Sequence, residues 1–347
     1  MTGGERSSRR GIFAFPQSLT FHPHSWCTVL RPLNTLREWR RVLDTVGEKA
    51  LPTLSRCLGG PVLRELGLTG QSAYLRAALV ETGCVRAIES SATLAHLFRS
   101  IFDLLKNAYR CDYVYRTAIT RMFLRRYSPT TTTLLSELRV WRSKADLAMF
   151  NGTSVAFEIK TELDNVDRLD SQLRDYSSMF DRIFVATHER RLAALRRDLP
   201  DHVGILVLGR GLSLRVERDA VSNADQVRTA TVVDALRREE VVAMTRRLTG
   251  SVPSATHVGL IDECARALAP CPPRAVHDAM VAVLKQRVRL TRADLVEIAP
   301  ELVAAYMETG LSTKLWPQIT SLLTRTTIGD LIDGHGKVLP VLTSQDL

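Results

Sequence analysis

What the 347-residue chain lacks narrows its class first. No stretch reaches the roughly 18 uninterrupted apolar residues of a membrane-spanning helix, so the sequence predicts no integral membrane protein. Its six cysteines stand at positions 27, 57, 84, 111, 264 and 271, with no CxxC pair among them. That spacing excludes a zinc ribbon and a thioredoxin-like motif, and it fits free thiols in a reducing, cytoplasmic setting. Arg6, Arg9 and Arg10 are followed by no apolar stretch of the kind a secretory signal carries, so the start reads as a loose basic tail. Repeats of fixed period and long low-complexity tracts are missing too. With 45% apolar and 24% charged residues, collagen-like, disulfide-scaffold and wholly disordered chains are excluded.

What is present is a basic surplus, 47 Lys and Arg against 37 Asp and Glu. Such a surplus points to a polyanionic partner, most often nucleic acid. The skew toward arginine, forty against seven lysines, equally fits the codon composition of a GC-rich genome. His22, His24 and Cys27 have the flavour of metal ligands, but a fourth ligand is not evident.

The length suggests two or three domains. Residues 1–110 read as a tail and a helical region: Leu36, Trp39, Leu43 and Val46 recur at helical spacing, and Ser90, Ser91 and Thr93 supply a start signal for the last helix. Residues 111–220 change texture. A helix over Tyr113–Arg126 is followed by β-like runs at Leu134–Trp141, Ala145–Phe150 and Val155–Lys160. The second and third are joined at Asn151-Gly152, a strong hairpin signal. A helix over Val166–Met179, a strand at Arg182–Thr187, a helix at Glu189–Asp198, a strand at Gly204–Leu208 and an edge strand at Leu212–Glu217 complete the block. Residues 221–347 are helical again to about 325, with a turn-rich tail. Leu290–Tyr306 has a faint helix-turn-helix look but lacks a convincing recognition helix. The fold class is therefore α/β: a mixed three-layer sheet core flanked by N- and C-terminal helical regions.

Strand periodicity singles out three polar positions. Glu158 and Lys160 share a face because side chains alternate along a strand. If the hairpin has a three-residue loop, Asp146 lies directly opposite Glu158, with Cβ atoms about 4.5–5.5 Å apart. Two carboxylates that close repel unless a cation sits between them, and Mg²⁺ or Mn²⁺ meets that demand with few protein ligands. Lys160 points at the same place and suits a role on an attacking water or a scissile phosphate. The two strand residues are expected at a cleft edge rather than in the core. A lone Glu-X-Lys is equally an ordinary cross-strand ion pair; the Asp one strand earlier and the apolar flanks Val155, Ala156, Phe157 and Ile159 favour a site.

The run Glu137, Asp146, Glu158-Ile159-Lys160, then Gln172 and Tyr176, resembles the PD-(D/E)XK, or restriction-endonuclease-like, nuclease superfamily. The text around Cys111–Ile119, Ser143–Asp146, Phe157–Asp164 and Arg168–Asp181 resembles one bacterial and phage family within it. The resemblance covers about residues 110–210. It implies that Asp146 and Glu158 bind metal and that Lys160 is the catalytic lysine. Glu137 would match the upstream acid, with Asp112 on the preceding helix as its rival. Gln172 and Tyr176 would support the site and the bound strand. Ala145 stands where many members carry proline. The function implied is a cytoplasmic Mg²⁺- or Mn²⁺-dependent nuclease acting on DNA, RNA not being excluded, in DNA repair or defence against mobile DNA. Arg190, Arg191, Arg196 and Arg197 would contact phosphates, or form a solvated helical face; His188 would reach a strand-end site, or is a surface histidine at a helix start. The rival readings are a catalytically silent nucleic-acid-binding module and an interaction protein. In the latter, the helical flanks bind a protein partner or a second copy.

Overall fold

The computed structural model describes residues 36–128, 131–254, 258–287, 299–309 and 315–333. The basic tail, the His22, His24, Cys27 group, the 290–298 part of the helix-turn-helix segment and the tail beyond 333 lie outside the described residues. Before the sheet run α1 (Leu36–Val46), α2 (Leu51–Cys57), α3 (Gly60–Thr69), α4 (Ala73–Glu81), α5 (Cys84–Ala87), α6 (Leu94–Ala108) and α7 (Asp112–Arg126). Local chemistry sets their starts. Thr93 caps α6 by accepting from the His96 amide at 3.3 Å, and Leu94, Leu97, Phe98, Ile101 and Leu105 bury one stripe of that helix. Asp112 stands in the first turn of α7 and Arg125 and Arg126 in its last, the arrangement the helix dipole favours.

Among the described residues, six strands form one mixed sheet in chain order: β1 (Thr133–Val140), β2 (Ser143–Phe150), β3 (Ser154–Ile159), β4 (Arg182–Thr187), β5 (Gly204–Leu208) and β6 (Leu214–Arg218). The first three are an antiparallel meander; β3, β4 and β5 are parallel, and β6 returns antiparallel. Parallel neighbours need crossovers. These are α8 (Leu169–Ser177) and α9 (Glu189–Asp198), both packed on one face through Leu169, Leu173, Tyr176, Leu192 and Leu195. The same face carries α10 (Thr229–Ala235), α11 (Arg238–Thr249), α12 (Leu260–Leu268) and α13 (Pro273–Leu284). The opposite face, with Leu147, Val155, Phe157 and Phe184, meets the N-terminal helices.

The mixed α/β class with helical flanks is thus what the chain adopts, but the flanks are not two separate end blocks. Helices over Val303–Thr309, Leu315–Arg325 and Ile328–Asp333 come back to the N-terminal helices, sharing their apolar cluster through Tyr306, Trp316 and Ile319. The Ile328 amide donates to the Ala92 carbonyl at 2.9 Å, and the Leu94 amide to that of Thr326 at 2.9 Å. The 221–347 region therefore divides between the two faces of the sheet. No helix among the described residues is long and apolar enough to cross a membrane.

Candidate active site

The β2–β3 hairpin sets the site's register. Phe150 pairs with Ser154, leaving a three-residue loop in which Gly152 takes the left-handed conformation at φ 69°. Counting back from Leu147 opposite Phe157, Asp146 stands across from Glu158. The ladder stops there because a side chain replaces its next backbone acceptor: Asp146 Oδ2 accepts from the Ile159 amide at 2.7 Å. Two carboxylates from adjacent strands thus meet at the end of the meander.

Around them lies a buried polar chain. Lys160 Nζ donates to Glu158 Oε1 at 2.6 Å and to Gln172 Oε1 at 3.1 Å. The Tyr176 hydroxyl lies 2.7 Å from Glu158 Oε2 and 2.6 Å from the Lys144 carbonyl, with one proton to donate between them. Gln172 and Tyr176, one turn apart on α8, therefore brace Lys160 and Glu158 respectively. Glu158 is 1% exposed and Lys160 8%. The pair sits in the core, not at a cleft edge as the strand pattern suggested, because α8 closes over the end of β3.

Asp146 is half-buried. Loss of solvent first, then the like charges of Glu158 and Asp112, raise its pKa to about 8, against the Ile159 amide and Lys160, which lower it. Asp112, in the first turn of α7, is itself raised by burial, against its Arg116 partner. It is the second carboxylate, after Glu158, whose charge Asp146 feels. Glu137 does not join them. Its φ of 49° interrupts the β1–β2 ladder, its side chain is 65% exposed, and Glu137 Oε2 accepts from Lys144 Nζ at 2.9 Å in open solvent. The expected metal ligand is a surface ion-pair partner, while the rival acid on the preceding helix, partly exposed and paired with Arg116, is the one whose charge reaches Asp146. Among the described residues no group of three or more His, Cys, Asp or Glu side chains is close enough to cage a metal. The donor set is a facing carboxylate pair, and it fits a hard divalent ion that keeps most of its waters: the repulsion that raises Asp146 is what such an ion relieves.

Tyr176 is fully buried, so it offers no face to nucleic acid, contrary to the role expected of it; its hydroxyl holds Glu158 instead. Arg190 is exposed at the start of α9. Arg191 Nη2 donates to the Asp164 carbonyl at 2.6 Å, pinning the loop after β3. Arg196 pairs with Glu217 and Arg197 with Asp198, which leaves the outer part of α9 largely neutralised. A Ser–His–Asp row also exists: Ser154 Oγ lies 2.9 Å from His277 Nε2, and His277 Nδ1 2.8 Å from Asp278. Ser154 is 0% exposed and accepts from the Asp181 amide, so the row docks α13 on the sheet and reaches no substrate. The sequence pattern marks no role for Arg110 or Glu162: Arg110 precedes the Cys111–Ile119 text, and Glu162, inside the Phe157–Asp164 text, lies beyond the end of β3 at Ile159.

The family described as Bacteriophage P4 protein cII matches residues 105–304, more than half of the chain and the whole of the sheet. Protein cII of Enterobacteria phage P4 is 33% identical over 76 residues, 21% of this chain. The match spans 29% of that relative's own length. A solved structure of a protein of unknown function from Silicibacter pomeroyi aligns at 21% identity and a TM-score of 0.24, over 30% of this chain and 68% of that one. A likeness that slight carries no argument about fold or reaction.

Proposed function

We propose that this chain, which belongs to the Bacteriophage P4 protein cII family, is a Mg²⁺- or Mn²⁺-dependent nuclease that hydrolyses phosphodiester bonds of DNA. The family's name states no reaction, so the reading rests on the residues and on their resemblance to the PD-(D/E)XK superfamily. The observation that carries it is the meeting of Asp146 and Glu158 across the hairpin, with Lys160 2.6 Å from Glu158 in the same interior. Asp146 and Glu158 would hold the ion, with Asp112 close enough to add its charge. A divalent ion there supplies a more acidic water and offsets charge on the phosphate. Lys160 presents an ammonium toward the attacking water or a phosphate oxygen, in surroundings where each charge–dipole contact counts for more than in water. Gln172 fixes the direction of that ammonium, and Tyr176 keeps the second Glu158 oxygen in place.

One observation favours a second reading, a nucleic-acid-binding module without catalysis: Glu158 and Lys160 satisfy each other while almost wholly buried. Incubation of purified protein with supercoiled plasmid, linear DNA and RNA, with Mg²⁺, Mn²⁺ or EDTA, separates the two. The nuclease reading expects metal-dependent cleavage by wild type and none by Glu158→Gln. Binding without cleavage under every metal condition selects the module.

A further inference from the structure

A second polar cluster lies at the carboxyl ends of β3, β4 and β5, where open α/β sheets place their ligands. Glu162 stands there, two residues beyond Lys160. Its Oε2 accepts from the Tyr115 hydroxyl at 3.3 Å, and its Oε1 lies 3.8 Å from Arg110 Nη1. Both distances are long for a carboxylate among donors. Arg110 is firmly placed: Nη2 donates to the Leu208 carbonyl at 2.5 Å, and its guanidinium lies 5.8 Å from the centre of the Tyr115 ring. Two further groups are left without partners. His188, 9% exposed at the end of β4, has its Nε2 buried with no hydrogen bond, and Arg191 Nη1 is buried and unpaired beside it on α9. Glu162 and both arginines are among the charges that His188 feels.

A buried donor or acceptor without a partner destabilises the fold unless a ligand supplies one. Glu162, whose charge His188 feels, bonds to neither of these two atoms. A tetrahedral anion with more oxygens than a carboxylate suits four groups better. We infer that Arg110, the Tyr115 hydroxyl, His188 and Arg191 form a subsite for a backbone phosphate next to the scissile one, and that Glu162 is the stand-in anion this phosphate displaces. The inference rests on the nuclease reading for the neighbouring scissile phosphate, since Thr161 alone separates Lys160 from Glu162. Thr187 ties the two places together by donating to the Lys160 carbonyl at 2.9 Å.

The test uses the full chain in EDTA, so that cleavage plays no part. Binding of a short fluorescent DNA duplex is read by anisotropy, with inorganic phosphate as competitor. Glu162→Gln should tighten duplex binding about two- to fivefold, the scale of a partly exposed charge contact. Arg110→Gln should weaken it about tenfold, as loss of a charge-assisted hydrogen bond does. The gain from Glu162→Gln should vanish in the Arg110→Gln background, because the two act on one anion. Inorganic phosphate should compete better against Glu162→Gln than against wild type. Glu162 has a side chain 34% exposed, so its substitution keeps the test standing if Arg110→Gln loses its fold. No gain from Glu162→Gln, or the same gain in both backgrounds, overturns the subsite whether or not wild type cleaves DNA. The full pattern in a protein that never cleaves keeps the subsite and removes the nuclease reading.

Discussion

A carboxylate that loses solvent beside a second carboxylate keeps its proton longer than one in water, and Asp146 meets both conditions. Ionising it therefore works against the metal-free fold. Replacing it with asparagine removes that charge, while the amide oxygen still accepts from the Ile159 amide. Asp146→Asn should raise the metal-free thermal midpoint at neutral pH, by about 1–3 kcal/mol of stability, while abolishing cleavage. A variant that melts below wild type would show that the carboxylate is stabilised rather than strained. The same raised pKa fixes a pH dependence. Metal must displace the Asp146 proton, so Mg²⁺ affinity should rise with pH toward about 8 and level off above it. Metal-free stability should fall over the same window, because the fold holds that proton more tightly than the unfolded chain does. Calorimetry in two buffers of different ionisation enthalpy should find about one proton released per ion below that pH; affinity flat from pH 6 to 9 would contradict it. The Asp146–Glu158 pairing was legible in the sequence because a strand period and an Asn-Gly turn are local signals. The choice between Glu137 and Asp112 was not. It depends on a positive φ at Glu137 and on how α7 docks, neither of which a local pattern carries. The burial of Tyr176 has the same cause: periodicity places it on the inner stripe of α8 but does not say that a carboxylate waits there.

At the scale of elements, the strands and crossover helices follow apolar patterning closely. The Asn151–Thr153 loop carries the glycine its conformation needs. The β1–β2 turn is different: Trp141 and Arg142 connect Val140 to Ser143, and Trp141 takes φ 55° with no glycine to announce it. Sheet pairing holds the turn against its residue preference. The close approach of β4 and β5 is a constraint of another kind. Phe184 pairs with Gly204, and a Cβ at 204 would stand 2.3 Å from the Phe184 ring and 2.8 Å from the Ala220 nitrogen. Phe184 in turn stacks on Phe157, with ring centres 5.8 Å apart, one residue before Glu158. Gly204→Ala must push that stack, costing about 1–3 kcal/mol as overpacking does. It should also lower activity at a temperature where the protein stays folded, because Phe157 neighbours Glu158. A chemical denaturation midpoint and a cleavage rate measured on the same preparation check both effects. An alanine that leaves the midpoint unchanged would mean that the strands separate at no cost.

For the whole molecule, the question is whether the helical flanks are domains of their own. Sequence texture draws boundaries near 110 and 220, because patterning reports element type and not what each element packs against. The packing crosses both boundaries. One apolar cluster runs from Val42 through Phe157 and Phe184 on the sheet to Trp316 and Leu331 near the end of the described chain. Trp316 is 2% exposed, its ring edge-on to Tyr306 with centres 4.5 Å apart. It contributes to the surface on which α3, α6 and the sheet are held together. Trp316→Ala should therefore cost about 3–5 kcal/mol, the range for deleting a buried aromatic. The loss should appear in the whole structure at once. Far-ultraviolet dichroism, which reads the helices, and hydrogen exchange at Phe157 and Phe184, which reads the sheet, should shift to lower denaturant together. A separate early transition of the helices, with sheet exchange unchanged, would make the flank an independent unit. In that case the sheet with its carboxylate pair would stand without the flank. The shared cluster argues for the coupled outcome: α7, which carries Asp112, packs against the Val303–Thr309 helix, so whatever loosens the chain's last helices also loosens the acid nearest the pair.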